Sequence, residues 1–92
     1  MRIEWTEPAS RDLIAIGDYT GQHLGLARAR ATALQISEAI NSLKQFPNMG
    51  RTGRRAGTRE LVLPGLPFVA VYRLRNELVE ILRVLHGAQR WP

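Results

Sequence analysis

The sequence contains no cysteine, which excludes disulfides, thiolate nucleophiles and zinc sites built on cysteine. No run of 18 apolar residues occurs, and the opening MRIEWTEP lacks the apolar stretch of a signal peptide. Low-complexity tracts and internal repeats are missing as well, while 45 % of the 92 residues are hydrophobic. We therefore expect a cytoplasmic protein, without a membrane span, that folds as one domain over residues 1–92.

Lysine is scarce and the positive charge is unevenly placed. Twelve of the thirteen cationic residues are arginine. Residues 1–50 carry five cations and five acids, whereas residues 51–92 carry eight arginines and three acids, so the net charge of +5 lies in the second part. Arginine suits bidentate contacts with phosphate or carboxylate. The excess indicates an anionic partner, although an arginine-rich composition also follows from a GC-rich genome.

The first half of the chain predicts a strand and two helices. Residues 2–6 alternate apolar and polar side chains, as a strand does. Thr6 is placed to cap a helix that ends between Gly21 and Gly25. Apolar residues then recur at three- and four-residue spacing over 26–47, which predicts a second helix ended by its final proline. The short connection predicts an antiparallel helical hairpin.

Three strand-like segments follow, at 58–65, 67–75 and 78–87. Asn76 and Glu77 predict a tight turn between the last two. That register places Arg73 opposite Glu80 as a favourable cross-strand pair. It also places position 71 opposite 82.

The order of these elements predicts an α+β fold. An N-terminal strand and a two-helix antiparallel hairpin pack on one face of a mainly antiparallel sheet, in the order β-α-α-β-β-β. Both faces of the last two strands are largely apolar. We therefore expect the second face of the sheet to be incompletely covered, which in so small a protein predicts a partner.

Residues 47–57, PNMGRTGRRAG, form a basic glycine-rich segment between helix and sheet. They lack the GK[ST] of a phosphate-binding P-loop, and no strand precedes them. Two interpretations stay open: a connection with solvated arginines, or a flexible cationic lip that meets an anionic partner.

Two quoted segments, GRTGRRAGTRELVLPGLPFVAVYRL and VEILRVLHGAQRWP, follow a WTEPASRDL-type start and together resemble the RelE/ParE superfamily of bacterial type II toxins. The resemblance covers nearly the whole chain and implies two N-terminal helices on an antiparallel sheet. It implies one of two activities, without a cofactor. RelE-like toxins cut mRNA in the ribosomal A site, whereas ParE-like toxins inhibit DNA gyrase by protein–protein contact. A degenerate member that only binds its antitoxin is the third possibility.

The resemblance favours the ParE-like branch. RelE-like toxins typically carry an arginine where the third strand begins, and Phe68 or Val69 occupies that position here. If the protein is nevertheless a nuclease, His86 and Arg90 are its candidate catalytic residues. No metal site is expected. The candidate target-binding residues are Arg51, Arg55, His86, Arg90 and Trp91.

The resemblance also implies a cognate antitoxin, a DNA-binding dimer whose C-terminal segment folds onto the toxin. Arg83 lies inside an apolar strand, where an acidic partner residue would suit it. The predicted antitoxin contacts are Leu13, Ile16, Leu24, Leu34, Arg54, Arg59, Arg73 and Arg83.

Overall fold

The computed structural model describes residues 1–87 and has two helices packed on one five-stranded sheet. The elements are β1 (Arg2–Trp5), α1 (Glu7–Leu24), α2 (Leu26–Asn41), β2 (Arg51–Thr52), β3 (Arg59–Val62), β4 (Phe68–Arg75) and β5 (Leu78–His86). The strand order is β1-β5-β4-β3-β2, with β1 parallel to β5 and every other pair antiparallel. The predicted α+β fold is confirmed.

Thr6 fixes the start of α1 and ties it to the sheet. Its Oγ1 accepts a hydrogen bond from the Ala9 amide at 3.3 Å, as predicted for the cap, and donates to the carbonyl of Ile81 at 2.9 Å. At the other end, Gly25 adopts φ 92°, and its amide donates to the Gly21 carbonyl. The left-handed region that only glycine adopts at little cost thus separates α1 from α2.

The helix α2 ends at Asn41, earlier than the predicted Pro47. A 3₁₀ turn over Ser42–Lys44 replaces the rest. This tighter winding keeps Leu43 in the core but leaves Phe46 exposed. The predicted apolar stripe therefore stops one turn short.

The core lies between the helices and one face of the sheet. Its largest fully buried side chains are Tyr72, Ile36, Ile40, Leu43, Leu63, Ile81 and Val79. Alternate residues of β4 and β5 point into this core, as the period of a strand requires. We call this the inner face of the sheet and the opposite side the outer face.

The β4–β5 register follows the prediction only near the turn. Arg73 pairs with Glu80 and their side chains form an ion pair, which confirms that expectation. The expected pairing of position 71 with 82 is wrong because a β-bulge shifts the register, so that Val71 lies opposite Arg83. Leu82 becomes the extra residue of the bulged strand.

The glycine-rich segment contains a strand that was not predicted. In β2, Arg51 lies opposite Glu60, and the Gly53 amide donates to the Thr58 carbonyl at 2.9 Å. This hairpin adds one strand to the predicted order. The flexible-lip interpretation is therefore wrong at the base of the segment, where backbone hydrogen bonds hold it.

The expectation of an open apolar outer face is wrong at the centre of that face. Val71 and Leu85 point outward, yet they are only 3 % and 6 % exposed. The exposed large apolar side chains among residues 1–87 are Met1, Ile14, Tyr19, Leu24, Leu26, Leu34, Phe46, Met49 and Val62. Five of these nine belong to α1 and α2, so the helices offer more apolar surface than the sheet does. None of the helices described is long and apolar enough to cross a membrane.

Gly50 allows a close approach that a side chain would prevent. A Cβ at this position would lie 2.6 Å from Cε1 and Oη of the buried Tyr72. We expect Gly50→Ala to lower the free energy of unfolding by about 2 kcal/mol, as overpacked cores do. Gly17→Ala is the control, because nothing lies within 4 Å and alanine favours the helix by about 1 kcal/mol. Thermal melts of both variants check the opposite signs, and equal melting temperatures would contradict the argument.

Candidate partner and target surfaces

A small depression lies on the outer face of the sheet. It encloses about 40 Å³, and it is lined by Arg51, Arg54, Glu60, Val69, Val71, Leu85, His86 and Gly87. Its floor is apolar because outward residues of β4 and β5 form it. Its rim is basic because the β2–β3 hairpin folds beside it. We call it the outer depression.

Glu60 holds the basic rim in place. The Arg51 guanidinium donates from Nη2 and Nε to Oε1 of Glu60, at 3.0 and 3.2 Å, while the Arg54 amide donates to Oε2 at 3.3 Å. The cross-strand register of β2 and β3 brings these groups together. Glu60 thus compensates the charge of Arg51, whereas no carboxylate within residues 1–87 forms an ion pair with Arg54.

His86 is the last residue of β5 and is exposed on the rim of the outer depression. Its ring lies 6.1 Å from that of Phe68 and nearly perpendicular to it, because the two residues are cross-strand partners. His86 and the predicted target residue Arg51 thus both line the outer depression, while the His86 ring lies on the side of Phe68, which packs against the core. Arg90 and Trp91, predicted for the same role, lie outside the described residues.

A second group of arginines lies at the turn end of the sheet. Arg55, Arg73 and Arg75 line a shallow groove there, together with Ala56, Gly57, Thr58, Leu74 and Leu82. Arg73 is held by Glu80. Arg55, also predicted to bind the target, lines this groove and not the outer depression.

Asp12 is the ion-pair partner of Arg83, and the sequence did not reveal this pair. Its carboxylate accepts hydrogen bonds from Nε and Nη2 of Arg83 at 2.7 and 2.9 Å, and from the Val84 amide at 2.9 Å. The hydrogen bond to Asp12 is the main cause that raises the pKa of Arg83 above its ordinary value. The acid that the sequence analysis expected from a partner is thus supplied by α1. The antitoxin contact of Arg83 stays a prediction.

Tyr72 anchors the segment between α2 and β2. Its hydroxyl donates to the Pro47 carbonyl at 2.7 Å and accepts from the Gly50 amide at 2.9 Å. Arg59, a predicted antitoxin contact, donates to the Gly50 carbonyl at 2.8 Å. Burial raises the pKa of Tyr72, and the hydrogen bond from Gly50 and the charge of Arg59 partly offset that rise. Arg59 therefore braces this segment from within the protein.

The predicted apolar contacts divide into two kinds. Leu13 and Ile16 are half-buried and pack against the core. Leu24 and Leu34 are 63 % and 59 % exposed. Only this second pair exposes most of its side chain, and all four contacts stay predictions.

Comparison with known proteins agrees with this architecture. A protein-family model, described as the ParE toxin of the type II toxin–antitoxin system parDE, matches residues 3–91. The chain belongs to the ParE toxin family. A solved structure described as the chromosomal ParDE toxin–antitoxin system from P. aeruginosa superposes with a TM-score of 0.86 and 34 % identity, covering 91 % of this chain and 92 % of that one.

Two curated relatives of this ParE-family toxin extend over nearly its full length. Y4kP of Sinorhizobium fredii is 44 % identical over 91 residues, covering 99 % of this chain and 93 % of the relative. Toxin RelE2 of Caulobacter vibrioides is 41 % identical over 88 residues, covering 96 % and 97 %. The protein is thus the toxin of a type II toxin–antitoxin system, and its family implies a cognate antitoxin as partner.

Proposed function

We propose that this toxin inhibits DNA gyrase in the cytoplasm by protein–protein contact, without a catalytic step of its own. The supporting observation is the floor of the outer depression, which consists of Val69, Val71 and Leu85. Phe68, the other candidate for the arginine position, packs against the core. Cleavage needs hydrogen-bond donors directed at the reacting phosphate, and the apolar floor offers none, whereas the arginines of the rim could only contact a phosphate from the side.

Purified toxin added to gyrase and relaxed plasmid is expected to block supercoiling or trap cleaved DNA. Arg55→Glu tests the predicted target contact at the tip of the β2–β3 hairpin. We expect it to raise the toxin concentration needed by about tenfold, because reversing a charge in an interface costs more than 1 kcal/mol. Arg28→Glu, exposed on α2, makes the same change in net charge and should have little effect. Unimpaired supercoiling at high toxin excess would rule out the gyrase proposal.

Ribosome-dependent cleavage of mRNA is the second candidate function. The observation that favours it is that Arg51, Arg54 and His86 all line one depression, which brings two cations near a residue able to act as an acid or base, although the His86 ring itself lies beside Phe68. Codon-specific cuts in translated mRNA, lost in His86→Ala and Arg90→Ala, would support this function. Intact mRNA, with supercoiling blocked by the same preparation, would support gyrase as the target.

We further propose that the C-terminal segment of the antitoxin folds along the exposed side of the helices. Leu26 and Leu34 lie two turns apart on one face of α2, with Arg30 between them, and Leu24 precedes them across the Gly25 turn. An amphipathic segment docks through such spacing, and its acidic residues would reach Arg30.

Replacing Leu26 and Leu34 together with aspartate is expected to weaken antitoxin binding by about 100-fold. Each exposed leucine that becomes buried in a complex contributes about 1–3 kcal/mol, and aspartate would also repel an acidic segment. Ala27→Asp/Gln35→Asp is the matched control, since both residues are exposed on the same helix and the charge change is equal. Calorimetric titration with the antitoxin measures the effect, and equal weakening by both variants would place the docking surface elsewhere.

A further inference from the structure

The net positive charge of the described residues lies mostly on one side of the sheet. The helical layer, residues 7–44, carries four cations and four acids. By contrast, the outer depression and the groove at the turn end are lined by five arginines and one acid, and a second acid, Glu80, pairs with one of those arginines. The arginines are Arg51, Arg54, Arg55, Arg73 and Arg75. The structure therefore has a neutral side and a strongly basic side.

The basic side is built on fixed elements. Glu60 holds Arg51 and Glu80 holds Arg73, so two of the guanidinium groups are oriented by ion pairs. No carboxylate within residues 1–87 forms an ion pair with Arg54 or Arg75. The charges of Arg54 and Arg75 are therefore available to an external anion.

The shape of this side indicates a long partner. The outer depression borders Val69, and Arg75 follows six residues later in the same strand, a distance of about 20 Å at the rise of a β-strand. Duplex DNA presents one negative charge for about every 1.7 Å of its axis. Its major groove is wide enough for a two-stranded β-ribbon such as the β2–β3 hairpin.

The side chains of the outer face favour duplex DNA over two other kinds of partner, a folding peptide and single-stranded RNA. A peptide that folds on binding needs apolar anchors, but Val71 and Leu85 are buried and most exposed apolar residues lie on the helices. Single-stranded RNA is bound largely by stacking on aromatic rings. Within residues 1–87, neither the outer depression nor the groove at the turn end is lined by an aromatic side chain other than His86.

We propose that the basic side of the sheet binds the phosphate backbone of duplex DNA directly. Contact with phosphates would position the protein on DNA without reading its sequence. The inference goes beyond the proposed inhibition of gyrase and does not depend on it, because the toxin would bind DNA in the absence of the enzyme.

Fluorescence anisotropy of the purified toxin with a labelled mixed-sequence duplex of about 20 base pairs tests this directly. If about four phosphates are contacted, affinity should fall about 100-fold when salt is raised from about 50 to about 200 mM. Arg54→Gln/Arg55→Gln/Arg75→Gln should weaken binding by more than tenfold. The matched control, Arg28→Gln/Arg30→Gln/Lys44→Gln, removes the same charge from the helical layer and should weaken it by less than threefold.

Three results would overturn the proposal. Equal weakening by both triple variants would show attraction by net charge alone. Tighter binding of single-stranded RNA of equal length would make the face an RNA-binding surface. Amide chemical shifts of the unmodified toxin, titrated with the duplex, give a second measurement that needs no variant. They should change at 51–55 and 73–75 but not at 26–44, and the reverse pattern would also overturn the proposal. Since gyrase is absent from all these assays, their outcome is separate from that of the supercoiling test.

Discussion

Replacing Asp12 with alanine is expected to lower the free energy of unfolding by about 3 kcal/mol, because it leaves the Arg83 guanidinium without its counter-charge in a partly buried site. The Val84 amide loses its acceptor at the same time. For a domain of this size, the melting temperature should fall by about 15 °C. Circular dichroism melts measure the change.

Matched variants separate the charge from the hydrogen bonds. Asp12→Asn keeps an oxygen that can accept from the Val84 amide, so we expect about half the loss seen with alanine. Asp18→Ala removes an exposed acid from the same helix and should change stability by less than about 0.5 kcal/mol. If Asp12→Ala and Asp18→Ala melted alike, the link from α1 to β5 would contribute nothing to stability.

The features of the fold that depend on neighbouring residues or on a regular helix or strand period could be predicted from the sequence. The capping residue Thr6, the break at Gly25 and the Arg73–Glu80 pair each follow from local chemistry and strand or helix period. The β-bulge could not be predicted in this way, because Leu82 continues an apolar run and nothing in it marks an extra residue. A two-residue strand such as β2 is likewise too short to show alternation.

The candidate sites were predictable only in part, because their contacts join distant segments. An arginine within an apolar strand must reach the edge of the sheet or pair with an acid, and this was visible at Arg83. Which acid meets it was not, since Asp12 lies 71 residues away and is equally well explained by the dipole at the start of α1. The same holds for Tyr72, because its place in an apolar strand did not reveal that its hydroxyl meets Pro47 and Gly50.

Replacing Tyr72 with phenylalanine is expected to lower the free energy of unfolding by about 2–3 kcal/mol near neutral pH. The ring stays, but the buried Gly50 amide loses its acceptor and the Pro47 carbonyl loses its donor.

The same change should alter the response to alkali. Burial raises the pKa of Tyr72 in the folded protein. The unfolded chain therefore loses this proton at a lower pH than the folded protein does, and alkali favours unfolding. The stability linked to Tyr72 is therefore complete below pH of about 10 and is lost as pH rises through the folded pKa.

Urea unfolding at a series of pH values from about 8 to about 11 measures this dependence. The unmodified protein should lose stability across the upper part of the range, and Tyr72→Phe should lose less. Tyr19→Phe is the control, because Tyr19 is 65 % exposed on α1 and its removal should leave the alkaline loss of the native protein in place. A Tyr72→Phe variant that kept the full alkaline loss would show that another group titrates there. The hydroxyl would then brace the segment before β2 through its hydrogen bonds alone.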